Sequence, residues 1–224
     1  MKRILVDVDT QHDFVDPAGA LFVPAAAGTR ERIGTLLAEA QAEGTPIVGS
    51  VDSHAYDAWE FESNGGPFPA HCVKGTAGWL RVFPASPSRT RFVPMQVLAP
   101  AVRNLVGEAV KGEGPRELDA AALANEALGG VGLYFEQEVY SMFSNPAAEA
   151  VIAALVESMG GAEAVRFDVL GYCTGGYCVD AAASGLAERG YAVRVLSTAT
   201  APIGGEAGAE SSRATLEAKG IEWR

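Results

Sequence analysis

Histidine is scarce in this chain, with three among 224 residues, and so is cysteine, also three. Basic residues are short as well: 17 against 28 acidic ones, for a formal charge of −11. Each shortage excludes something. No run of five or more Lys/Arg occurs, and phosphate neutralisation needs clustered cations, so a nucleic-acid partner is excluded. No stretch approaches about 18 consecutive apolar residues, so a membrane-spanning helix is not expected. The opening "MKRILVDVD" runs straight into acidic positions where a leader would continue apolar. The expectation is a soluble, unprocessed, cytoplasmic chain. Cys72, Cys173 and Cys178 are odd in number, at spacings that match neither a disulfide framework nor a zinc finger. They read as reduced.

What is present is alternation. "RILVDV" (3 to 8) and "PIVGSV" (46 to 51) are short apolar runs of the kind buried in a parallel sheet. Between them "TRERIGTLLAEAQAEG" has helical spacing, with Thr29 as cap and Gly44 as stop. After "VGLYF" (131 to 135), "NPAAEAVIAALVESMGG" carries Asn at the cap, Pro at the first helical position and Gly past the end. "VRFDVLG" (165 to 171), a helix to Gly190, "YAVRVLS" (191 to 197) and a last helix over about 207 to 219 complete the pattern. The proline-rich stretch 72 to 116 predicts irregular connection with a short strand at "TRFVP" (90 to 94). Strand–helix alternation predicts one α/β domain over 1–224: a doubly wound, mostly parallel sheet with helices on both faces.

Ligands of such sheets sit beyond the carboxyl ends of the strands. There "DTQHDF" supplies Asp9 and Asp13, "DSH" supplies Asp52 and His54, and "YCTGGYCV" supplies Cys173 and Cys178. In Asp52-x-His54 alternate residues of an extended chain point the same way, so an oxygen and a nitrogen can reach one metal ion, with His71 returning as a third ligand. The competing reading is two loop histidines bonded to backbone. Cys178 opens a helix behind two glycines, where backbone N–H groups lower a thiol pKa and hold an oxyanion; a buried structural cysteine would look the same. Asp13 could accept the thiol proton, or cap a turn. Glu60 or Glu62 could complete the site, though two solvated acids are the favoured reading; His12 reads as a loop residue, Cys72 and Cys173 as packing.

Together these segments resemble the isochorismatase-like cysteine hydrolases, and nicotinamidases most closely. "ILVDVDTQHDF" is similar to the opening strand with its Asp-x-Gln-x-Asp-Phe motif, "VDSHAYDAWEFESNGGPFPAHCVKGTAG" to the metal segment, and "VLGYCTGGYCVDAAASGLAERGY" to the nucleophile segment. The resemblance implies a six-stranded, mostly parallel sheet, homo-oligomers, and cleavage of the C–N bond of a small planar amide through a cysteinyl thioester. Cys178 would match the nucleophile and Asp13 the aspartate that deprotonates it. Asp52, His54 and His71 would match the ligands of a divalent metal, zinc first, with iron or manganese also used.

Two departures stand out. Counting back from Ser141, the triad lysine position holds Gln137, whose neutral amide can donate a hydrogen bond but no charge. Lys74 and Lys111 are the other cations considered. The nucleophile loop, in which the family places a cis peptide, takes seven steps from Gly171 to Cys178 where the family uses six. These departures support a second reading: a paralogue that binds a small molecule at the metal without turning it over. A third reading, in which a metal activates water and the cysteine stands by, ranks last.

Overall fold

The computed structural model describes residues 1–95 and 118–224; Lys111 and the second half of the proline-rich stretch lie outside the described residues. Strands β1 (Lys2–Val8), β2 (Ile47–Asp52), β3 (Arg89–Val93), β4 (Val131–Gln137), β5 (Val165–Thr174), β6 (Ala192–Pro202) and β7 (Glu222–Trp223) form one sheet in the order β3-β4-β2-β1-β5-β6-β7. Every pairing is parallel. The expected six strands are thus seven. The added β7 is only two residues long, and its pairing with Arg194 and Val195 at the sheet edge has no periodicity to announce it.

Helices α1 (His12–Val15), α2 (Ala26–Glu43), α3 (Ala120–Leu128), α4 (Ala148–Ser158), α5 (Cys178–Glu188) and α6 (Gly205–Ala218) fill the connections. In α2, Ile33, Leu36, Leu37 and Ala40 make a buried stripe, and Gly44 ends the helix in the left-handed region at φ 69°. The helix begins one turn before Thr29, whose hydroxyl instead donates to Ala26 O. Helix α4 begins at Ala148, with Asn145 accepting from Ala147 N. The Asn145 amide also donates to Val93 O and Glu136 O, tying the ends of β3 and β4 together.

Strand β2 is buried along its whole length and β4 from its second residue onward, as a sheet covered on both faces requires. Two buried aspartates of the core are charge-paired. Asp168 is held by Arg166 and Arg194, and Asp7 by Arg81 and the Tyr134 hydroxyl. Both have a cation. Central β1 has β2 on one side and β5 on the other, so crossovers leave it in opposite directions. That is the switch point at which a doubly wound sheet opens a crevice beyond its strand ends.

Candidate active site and metal cage

Four adjacent strands deliver the chemistry. Asp9 follows β1, Asp52 ends β2, Gln137 ends β4, and Cys178 opens the helix after β5. Asp52 (6 % exposed), His54 (1 %), Glu60 (3 %) and His71 (3 %) form one buried group, with one ligand atom from each lying within 4.8 Å of the others. His54 Nε2 is 2.7 Å from both Asp52 Oδ1 and Glu60 Oε1, and His71 Nε2 is 3.1 Å from Asp52 Oδ2. Close as these are, His54 Nε2 makes no aligned hydrogen bond. Donor atoms that converge on a shared centre, and not along an N–H···O axis, are what a cation requires. His71 Nδ1 lies 2.8 Å from Pro69 O, an arrangement that places the proton on Nδ1 and leaves Nε2 as the ligand atom. The residues fit a divalent ion.

Glu60 is the member that its sequence context hid. It lies beside exposed Trp59 yet is buried in the cage, whereas Glu62 is solvated. The legible signal is the turn in "ESNGGP". Phe68 N donates to Glu60 O and Glu62 N to Phe68 O, folding the segment back on itself. A Cβ on Gly66 would lie 2.1 Å from the Glu60 carbonyl carbon, so only glycine permits this pass. The Gln11 side chain then holds Asp52 by its backbone: Oε1 accepts from Asp52 N and Nε2 donates to Asp52 O, each at 2.8 Å. Phe61 packs edge-on against His54 at 5.2 Å and lies against His71 at 5.5 Å.

On the nucleophile side, Asp9 and not Asp13 is the carboxylate beside Cys178. The Asp9 carboxylate contacts the Cys178 thiol and accepts from Ser50 Oγ at 2.8 Å and from Gln137 Nε2 at 2.9 Å. Asp13 sits elsewhere, its Oδ1 accepting from Ala20 N and its Oδ2 from Cys72 N. The two acids stand four residues apart in "DTQHDF". The turn at Asp9, in the left-handed region at φ 49°, starts short α1 and carries Asp13 off the rim. Gln137 thus donates to an aspartate as expected, but to Asp9. Lys74 pairs with Glu136 and does not reach it. His12 opens α1 and pairs with Asp16. Cys72 is buried beneath the site; Cys173, also left-handed at φ 68°, contacts Cys178 and lines the same cleft.

Burial raises Asp9, and the nearby Asp52 charge raises it further, to about 7 against an ordinary 3.8. The Cys178 thiol is held well above its usual value by its contact with Cys173, by burial and by the Asp9 charge. In the cage the directions reverse. Burial alone would raise Asp52, but the His54 and His71 imidazoles outweigh it and its pKa is lowered. Burial alone would lower His54, but Asp52 and Glu60 outweigh it and raise it to about 10.

Both halves open on one cleft of about 320 Å³ including its mouth, walled by Phe14, Phe68, Tyr140 and Tyr177, with Asp52, His71 and Cys178 in its lining. Among the described residues no Lys or Arg lines it. The nucleophile loop has no cis peptide: among the described residues the one cis bond is Ser86–Pro87. Positive φ at Cys173, Gly175 and Gly176 makes the turn instead.

No protein-family model and no curated protein matches the chain in sequence. Solved structures do match in fold. The pyrazinamidase of Pyrococcus horikoshii in complex with zinc aligns at TM-score 0.66 and 23 % identity, covering 100 % of this chain and 99 % of that one. A nicotinamidase/pyrazinamidase from Bacillus subtilis aligns at 0.68 and 21 %, over 100 % and 99 %. The N-carbamoylsarcosine amidase of Thermoplasma acidophilum aligns at 0.59 and 20 %, over 100 % and 96 %. The chain has the isochorismatase-like, doubly wound α/β fold.

Proposed function

We propose that the protein is a metal-containing cysteine amidohydrolase that cleaves the C–N bond of a small, uncharged, planar amide. The observation that carries this is that Cys178, with Asp9 behind it, and the cage members Asp52, Glu60 and His71, with His54 behind them, meet at one aromatic cleft. The absence of Lys and Arg from the lining, among the described residues, favours a neutral amide over a carboxylate-bearing one.

The order of events follows from the chain's own groups. Asp9 takes the Cys178 proton as Sγ attacks the carbonyl carbon, and the single negative charge passes from carboxylate to substrate oxygen. The Cys178 N–H, at the first turn of α5, faces that oxygen. Asp9 returns the proton to the leaving nitrogen, then serves as base for the water that cleaves the thioester. Asp52, His54, Glu60 and His71 would hold the metal, zinc by the chemistry of two imidazoles and two carboxylates, with iron or manganese accepted by the same set. When bound, the ion supplies a Lewis acid that fixes a heteroatom of the substrate.

The test is ammonia release from a panel of neutral aromatic and aliphatic amides, nicotinamide and pyrazinamide among them. Cys178→Ser should lower kcat/KM at least ~10³-fold. Release that is indifferent to Cys178→Ser would move the chemistry to metal-bound water. Gln137 favours one further reading, a binding protein at the same site, since no cation lies beside Asp9 among the described residues. Metal and amide binding that survive Cys178→Ala, with no turnover by the parent, would establish that one.

A further inference from the structure

The longer nucleophile loop needs something to hold it. After Thr174, Gly175 and Gly176 both take positive φ, at 100° and 94°. A Cβ on Gly175 would lie 2.6 Å from Ile203 O. Their amides turn away from the cleft. Gly175 N donates to Ser212 Oγ at 2.6 Å, Gly176 N donates to Asp180 Oδ2, and Ser212 Oγ donates to the same Asp180 oxygen at 2.6 Å. Ser212 belongs to α6 and is 1 % exposed; Asp180 belongs to the first turn of α5 and is 7 % exposed. A closed ring of bonds therefore joins the loop, the nucleophile helix and a second helix, with both extra-loop amides inside it.

The next two amides, those of Tyr177 and Cys178, take no partner among the described residues. They lie at the start of α5, where unpaired N–H groups and the helix dipole favour a developing anion. We infer that Asp180 and Ser212 are positioning residues that fold the inserted glycine out of the way, so that Cys178 Sγ and the Tyr177 and Cys178 amides face the substrate carbonyl together. Neither side chain lines the cleft; both act through the loop. This rests on the amidohydrolase reading for its kinetics but not for its geometry.

The experiment uses Ser212→Ala, Asp180→Asn and Ser212→Thr, which keeps the hydroxyl. Folding is checked by circular dichroism, and metal content is measured on each variant. The expected result is a kcat at least tenfold lower on the best amide of the panel, with KM within twofold, for Ser212→Ala and Asp180→Asn. Recovery in Ser212→Thr to within threefold of the parent is expected. In parallel, the rate of Cys178 alkylation by iodoacetamide, read by peptide mass spectrometry against Cys173, should change at least threefold in the first two variants. A parent that cleaves no amide, with alkylation still moved, would sink the hydrolase reading and leave the clamp standing. Folded, metal-loaded variants with unchanged alkylation would overturn the clamp whatever the amide panel shows. If Ser212→Ala and Asp180→Asn unfold, Asp180→Glu decides, since it keeps the charge but displaces the shared oxygen: a folded variant with kcat at least tenfold lower, unchanged KM and altered alkylation supports the clamp, and parent kinetics and alkylation overturn it.

Discussion

Asp52 lines the cleft and Asp9 lies buried behind Cys178 at the end of the neighbouring strand; both are withdrawn from water, yet their proton affinities move in opposite directions. Asp52 faces two imidazoles and is held below the ordinary carboxylate range. Asp9 faces a thiol, a serine and a neutral amide, and is pushed to about 7. Burial pushes both upward; at Asp52 the imidazoles overcome it, and at Asp9 no cation does. Elsewhere two buried aspartates are paired with arginine, Asp168 with two and Asp7 with one. The metal half of the cleft is built to be balanced by a cation. The Cys178 half has no such cation beside Asp9 among the described residues, a state suited to a base that must both accept and return a proton near neutrality.

The most severe way to break this contrast is to empty the cage. Chelation, or His71→Ala, should lose the metal by elemental analysis and cost at least ~100-fold in kcat/KM. Thermal stability should fall too, since an ion bound only by the folded state at a thousand times its Kd contributes about 4 kcal/mol. Unaltered turnover without metal would remove the cage from the site.

A gentler intervention makes the two halves alike. Gln137→Lys sets a cation beside Asp9, which favours its charged form. The rate should rise with pH as Asp9 loses its proton around 7 in the parent. In the variant the midpoint should lie lower by about 1 pH unit or more. Alkylation of Cys178 at pH 6 should quicken with it. Coincident pH profiles would mean that the missing cation does not set the behaviour of Asp9.

Smaller effects appear in stability. Because the folded chain holds the Asp9 proton more tightly than the unfolded chain, its contribution is complete below pH 3.8 and is lost as pH rises towards 7. Asp9→Asn should therefore remove activity yet raise stability at pH 8, on the order of 2 kcal/mol or about 4–8 °C in Tm, with little gain at pH 4. Asp13→Asn should do the reverse. It weakens the anchor on the Ala20 and Cys72 amides, costing about 1 kcal/mol, and leaves the alkylation rate of Cys178 unchanged. A Cys178 slowed by Asp13→Asn would return the role of base to that residue.

Much of this was readable from residues alone. The alternation of apolar runs and helical stripes placed six of the seven strands, and the strand-end rule gathered Asp9, Asp52, His54 and Cys178 on one rim. What escaped depended on backbone detail. Asp13 drew attention as a carboxylate in the right hexapeptide, but the left-handed turn at Asp9 is a tertiary choice that no spacing reveals. Glu60 and Glu62 look alike as acids near one glycine-rich turn, and only the doubling back of that turn carries Glu60 inward. The Asp180–Ser212 ring joins residues 32 apart through a loop whose extra glycine showed only as a miscount.

Gln11 has a consequence of a different kind. Beyond the last residues of β1, its carboxamide meets the Asp52 N–H and C=O as a peptide plane of an adjoining strand would. The sheet is therefore one rung longer than its main chain, and the added rung is a side chain that evolution can edit. A glutamate there would offer two acceptors to a carbonyl, and a leucine would offer nothing. The last ladder step before the metal is thus a single replaceable part, through which the tautness of the cage could be tuned without touching a ligand or the backbone.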